Sequence, residues 1–169
     1  LARLWTPGQK LDGSFELLFV DDGSRDDSVA ILMAARQRQP EIRVLQLSRN
    51  FGKEAAVSAG LEHARGEAVV LMDADLQDPP ELIPDMLAEW RKGADVVLMK
   101  RRSRAGESWL KRITASLFYR LINRISDSPI PVDTGDFRLM SRRTVEALNR
   151  LPERNRYLKG MFAWVGMPT

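Results

Sequence analysis

Asp73 and Asp75 stand one residue apart at the end of the apolar run Glu67 to Met72. If that run is a strand, side-chain alternation turns both carboxylates to the same side. Two converging carboxylates ask for a cation. Hard oxygen ligands with no histidine or cysteine beside them suit Mg²⁺ or Mn²⁺, which keep several waters and take further ligands from phosphates. A diphosphate is the natural third party. An Asp-x-Asp triplet alone reads equally well as solvated loop acids; its place after a strand, ahead of Gln77, Asp78, Pro79 and Pro80, favours a site.

Two more polar clusters, Asp21 to Asp26 and Ser48 to Lys53, also follow apolar runs immediately. Charge is segregated along the chain. Between Glu16 and Asp85 there are fourteen Asp and Glu against seven Lys and Arg, whereas Arg91 to Arg124 holds ten Lys and Arg against Asp95 and Glu107. An acidic half can hold metal ions, and a basic stretch can hold phosphates, nucleic acid or an anionic membrane surface. A solvated basic helix face accounts for the second equally well.

The elements that must position these clusters alternate in type. Phe15 to Val20, Ile42 to Leu47, Glu67 to Met72 and Gly93 to Met99 read as strands. Between them, Val29 to Ala35, Lys53 to Ala64 and Pro80 to Lys92 carry helical spacing; Ser24 or Asp26 is expected to cap the first, and a proline pair opens the third. Strands separated by single helices imply a doubly wound, mainly parallel sheet with helices on both faces, and ligands at the carboxyl ends of its strands. The polar clusters should therefore share one crevice. Ser108 to Ile125 predicts an amphipathic helix: Trp109, Ile113, Leu117, Leu121 and Ile125 form an apolar stripe beside Arg112, Ser116, Arg120 and Arg124. Ser126 to Asp133, with two prolines, reads as an irregular connection.

Length and composition exclude several classes. The 169 residues, 44% hydrophobic and 29% charged, fit one folded domain. Without cysteine there is no disulfide, thiolate site or cysteine nucleophile, and a reducing compartment is the easier setting; His63 as the sole histidine argues against zinc clusters and a Ser/His/Asp triad. Apolar runs such as Ala68 to Met72 are only a few residues long, far short of the roughly 18 residues that span a bilayer. Leu1 to Lys10 does not read as a secretory signal, and the start at Leu1 reads as that of a fragment.

Four segments in order, VDDGSRDDS at Val20 to Ser28, NFGKEAAVSAG at Asn50 to Gly60, LMDADLQDPPE at Leu71 to Glu81 and DTGDFRLM at Asp133 to Met140, resemble the family 2 inverting glycosyltransferases of the GT-A fold. The runs Arg101 to Ser126 and Arg154 to Gly166 narrow the resemblance to the polyprenyl-phosphate branch, which includes dolichol-phosphate mannosyltransferases and undecaprenyl-phosphate glucosyltransferases. The family's opening strand, with its nucleotide-contacting loop, is expected to precede this chain, and further donor contacts and membrane segments to follow it.

The resemblance implies roles for matching positions. Asp21, Asp22 and Ser24 would contact the base and ribose of a nucleotide sugar, and Lys53 would reach the nucleotide unless it is a surface lysine. Asp73 and Asp75 would hold the metal, with Ala74 and Gln77 lining the diphosphate site. Asp136 matches the catalytic acid on the opposite side of the sugar; otherwise it pairs with Arg138 or caps a helix from Arg142. Arg101, Arg104, Arg112 and Ser116 would line the acceptor phosphate, a task that suits arginine's paired donors. The helix bearing the last two would lie in the membrane interface, or pack its stripe on the core. Trp109, Phe118, Tyr119, Phe162 and Trp164 are interfacial or core aromatics.

The expected activity is transfer of glucose or mannose from UDP-glucose or GDP-mannose to an undecaprenyl or dolichyl phosphate, with inversion and with Mg²⁺ or Mn²⁺, at the cytoplasmic face of a bacterial inner membrane. A homo-oligomer is left open. A glycan-elongating polysaccharide synthase is the second reading, although the Gln-x-x-Arg-Trp type segment of such enzymes is missing. A nucleic-acid-binding module would suit the pI of about 9.5, but the aromatics lie on the apolar flank of the basic helix and are not interleaved for base stacking.

Overall fold

In the computed structural model, residues 13–75, 77–100 and 134–151 are described. The run of large apolar residues at Leu17–Asp21 forms β1, and Ile42–Gln46 forms β2 parallel to it, in the register Leu17↔Ile42 to Asp21↔Gln46. The helix α1, Ser28–Arg38, connects them. Its cap differs from the expectation. Asp27 is the capping residue without a side-chain bond, while the Asp26 carboxylate accepts the Ser28 N–H at 3.0 Å and Ser24 lies back in the loop.

The helix α2, Lys53–His63, follows β2 and packs on β1 and on α4, Arg142–Asn149. Gly60 makes the contact with β1 close, since a Cβ there would lie 3.1 Å from Val20 Cγ2. Next come β3 at Ala68–Leu71, a 3₁₀ turn at Pro80–Leu82, α3 at Ile83–Arg91 and β4 at Val96–Lys100. Each expected strand and helix in this part of the chain is present.

One strand was not expected. Thr134–Ser141 forms β5, which lies between β3 and β4 and runs antiparallel to both, with Leu139 opposite Val70 on one side and Val97 on the other. The fold is α/β, as read from the sequence; among the described residues β1 and β2 pair in parallel and β5 pairs antiparallel with β3 and β4. Alternation along β5 divides the core. Phe137 and Leu139 pack with Met86, Ile83, Leu87 and Trp90, which recur on one stripe of α3. Met140 faces the other way, onto Leu61 of α2 and Val145 and Leu148 of α4. Helices therefore cover both faces of β5, and Asp136 and Arg138, four and two residues from Met140, share the α2 side.

No helix among the described residues is long and apolar enough to cross a membrane. The amphipathic helix expected over 108–125, the irregular segment 126–133, the basic residues Arg101, Arg104 and Arg112 with Ser116, and the aromatics Trp109, Phe118, Tyr119, Phe162 and Trp164 lie outside the described residues.

Candidate active site

The loops after β1, β2 and β3 meet the beginning of β5 at one end of the molecule. The Asp22 carboxylate ties the first two loops together. Asp22 Oδ1 accepts the Phe51 N–H at 2.7 Å and its Oδ2 accepts the Gly52 N–H at 2.8 Å. Gly23, at φ 79°, passes so close to the second loop that a Cβ would stand 2.8 Å from Asn50 N. Asp21, buried at the end of β1, accepts the Ser24 N–H with both oxygens at 3.3 Å. The three residues expected to meet the base and ribose thus shape the crevice wall through backbone bonds, Asp22 by holding the segment that begins α2.

Antiparallel pairing delivers Asp136 to the same place. Leu71, the last residue of β3, is opposite Arg138, so the turn that follows β3 begins beside the start of β5. On the other edge of β5 the register shifts between Leu98↔Arg138 and Lys100↔Thr134, and Asp136 falls inside the irregularity. Such bulges turn a side chain away from the ladder, often beside a functional site.

Lys53 joins the two carboxylates. Its Nζ donates to Asp73 Oδ2 at 2.8 Å and to Asp136 Oδ2 at 2.6 Å. Burial works against the ammonium, but the bonds to Asp136 and Asp73 outweigh it and raise the lysine pKa above its ordinary value. On the other side of Asp136, the guanidinium of Arg138 stands 4.0 Å from Oδ1, and its Nε reaches the Asp136 carbonyl at 3.4 Å. Arg138 is 3% exposed. Burial lowers its pKa, opposed by the charges of Asp136 and Glu54; guanidinium stays protonated at working pH regardless.

The structure corrects one step of the sequence reasoning. β3 ends at Leu71, so Asp73 and Asp75 belong to the following turn, and strand alternation does not aim them. Asp75 Oδ1 instead accepts the Gln77 N–H at 3.0 Å, closing a short loop whose Ala74, Asp75 and Gln77 are exposed. Among the described residues, no group of three or more His, Cys, Asp or Glu could by itself hold a metal ion. Two hard carboxylates beside an open turn still suit a cation that draws the rest of its ligands from phosphate and water.

Sequence reasoning missed the two hydrogen bonds made by Lys53, the burial of Arg138 and the strand carrying both Asp136 and Arg138. The third was visible: in Asp136-Phe137-Arg138-Leu139-Met140 charged and large apolar residues alternate before the run turns continuously apolar.

An uncharacterized glycosyltransferase of Synechocystis sp. is 50% identical over 165 residues, covering 98% of this chain and 52% of the relative. A bactoprenol glucosyl transferase of Shigella phage SfV is 49% identical over 154 residues, covering 91% of this chain and 50% of the relative. The chain spans about half the length of the curated relatives it matches. In fold it is similar to S. aureus TarS 1-349, crystallised in complex with UDP, with a TM-score of 0.62 at 18% identity over 96% of this chain and 48% of that one. The model of glycosyl transferase family 2 matches residues 9–148, and the chain belongs to that family.

Proposed function

We propose that this chain is the catalytic domain of an enzyme that transfers glucose from a nucleotide-diphosphate sugar to a polyprenyl phosphate, with inversion at the anomeric carbon. One observation carries the reading: the turn after β3 and the start of β5 bring Asp73 and Asp136 to either side of one ammonium, at the end of the molecule where the strand-following loops converge. The 49% identity to a bactoprenol glucosyl transferase supports the acceptor and the sugar. The UDP held by TarS supports UDP-glucose as first donor, with GDP-mannose second.

An inverting transfer needs a nucleophile on one face of the sugar and a departing group on the other. The Asp73 and Asp75 turn suits the diphosphate side. Mg²⁺ or Mn²⁺ bound there would neutralise the charge that develops on the nucleoside diphosphate as it leaves. Asp136 belongs to the attack side, where a phosphate oxygen of the acceptor forms a bond to the anomeric carbon as the bond to the diphosphate oxygen breaks. A phosphate monoester has a second pKa of about 6, so near pH 7 it is already largely ionised and needs little help in losing a proton. Asp136 then acts mainly by orientation and charge. Arg101, Arg104, Arg112 and Ser116 are the proposed acceptor-phosphate residues, and Asp21, Asp22, Ser24, Ala74 and Gln77 the donor-side ones. Such an enzyme works at the membrane surface, on its cytoplasmic face.

The test uses the full-length protein with radiolabelled UDP-glucose or GDP-mannose and undecaprenyl phosphate in detergent. Label should pass to the lipid from UDP-glucose with Mn²⁺ or Mg²⁺ and stop on chelation. Transfer to a growing glycan, with none to the lipid phosphate, would overturn the reading.

A further inference from the structure

Asp136 lies within the irregularity of β5, and the Arg138 guanidinium stands 4.0 Å from its Oδ1. Lys53 makes the short bond, 2.6 Å to Asp136 Oδ2, and its second bond goes to Asp73 at 2.8 Å. It begins α2, whose preceding residues Phe51 and Gly52 are held by Asp22. The ammonium is thus anchored in a third element and set between two carboxylates that would otherwise repel.

We propose that Lys53 is a positioning residue for glycosyl transfer: its ammonium ties Asp73, on the leaving-group side, to Asp136, on the attack side. The inference rests on the transfer reaction proposed above. It differs from the sequence expectation, in which Lys53 reaches the nucleotide. Two of the ammonium's three donors are committed to carboxylates, and their task is to fix the separation and direction of the groups on either side of the sugar. An anionic acceptor also meets Asp136 already paired with a cation, which lowers the cost of bringing a phosphate beside a carboxylate.

The experiment compares full-length wild type with Lys53→Met, Lys53→Gln and Lys53→Arg, using whichever donor the wild type turns over and undecaprenyl phosphate as acceptor. Nucleotide affinity is measured separately by calorimetry. Lys53→Met should lower kcat about 100-fold, the order of loss expected from a displacement of about 1 Å at a reacting centre. The dissociation constant for UDP should stay within about threefold, and Lys53→Arg should recover activity to within about tenfold of wild type. If Lys53→Met melts early, Lys53→Gln takes its place. Because Lys53 acts through Asp136, Lys53→Met added to Asp136→Asn should cost less than about a further twofold. Nucleotide affinity falling in step with the rate would make Lys53 a donor ligand and overturn the proposal, as would multiplying losses in the double variant. If the wild type transfers nothing, the reaction itself is overturned and this role with it. A wild type that transfers while Lys53→Met keeps its rate overturns this role alone.

Discussion

The two ends of β5 both rest on an aspartate and a cation, and they use them differently. At the Ser141 end, Asp95 accepts the Ser141 hydroxyl at 2.6 Å and pairs with Arg143, while its carbonyl accepts the Ser141 N–H at 2.8 Å and the Thr144 hydroxyl at 3.3 Å. Arg142 bonds the Gly66 carbonyl through Nε at 3.0 Å, and its N–H bonds the Glu67 carbonyl at 2.7 Å. Ser141 also caps α4 by accepting the Thr144 N–H. The Asp95 side chain is 14% exposed, although its partner Arg143 is 67% exposed. At the Asp136 end one ammonium serves two carboxylates, and the side chains of Lys53, Asp73 and Asp136 are 52%, 44% and 27% exposed. A carboxylate closed to water and answered by a hydroxyl as well as a cation holds a fold together. An ammonium half open to solvent and shared by two carboxylates leaves room for a substrate.

The sharpest way to break the contrast is to remove the charge at each end by the same change. Asp136→Asn is expected to lower transfer about 1,000-fold, within the range for removal of a group acting at the reacting atoms, a far larger effect than its cost in stability. Its deficit should stay flat from pH 7 to 9, because the acceptor is already ionised there; a deficit shrinking as pH rises would assign proton removal to Asp136.

Asp95→Asn should do the reverse, leaving kcat within about threefold and lowering stability by about 2 kcal/mol, the scale of a hydrogen bond to a charged group. The Ser141 hydroxyl, helped by Arg143 and opposed by burial, holds the Asp95 carboxyl below the usual carboxylate range. A depressed folded-state pKa contributes stability above the unfolded value of about 4 that is lost as pH falls through the folded value. The difference between wild type and Asp95→Asn in thermal unfolding should therefore be full at pH 7 and narrow below about pH 4. A large rate loss from Asp95→Asn, or an early melt from Asp136→Asn, would erase the distinction between the two ends.

How much of each end was legible follows from the range of the interactions. The strands β1 to β4 and the helices between them are written in local periodicity, so Phe15 to Val20 and the stripe Ile83, Met86, Leu87 and Trp90 announce themselves. The convergence of the polar loops followed from topology, since loops after strands collect at one end of an α/β sheet. The place of β5 did not follow. Its pairing with β3 and β4 is non-local, and nothing near Asp136 in the chain says that Leu71 will lie opposite Arg138. Lys53 was legible as a cation in the right loop, but its bonds to Asp73 and Asp136 depend on that same insertion. The Asp73 and Asp75 pair was identified by type and misassigned by mechanism, because the strand stops at Leu71, two residues before Asp73.

The smallest expected effect concerns the wall that holds the Lys53 end in place. Gly23 and Gly52 both have positive φ, at 79° and 93°, a conformation that strains any residue with a Cβ. A Cβ at Gly52 meets nothing within 4 Å, whereas at Gly23 it would press on Asn50 N at 2.8 Å and the Arg49 carbonyl carbon at 2.9 Å. Gly52→Ala is therefore expected to lower stability by about 1 kcal/mol, from backbone strain alone. Gly23→Ala should cost more, because backbone must also move, and the segment that moves carries the Phe51 and Gly52 N–H groups that Asp22 grips. Its displacement travels into Lys53, the next residue along, so Gly23→Ala should lower kcat several-fold while Gly52→Ala, strained but unobstructed, lowers it less. Equal stability losses and equal rates for the two alanine variants would show that the contact between the first two loops does not set the position of the ammonium.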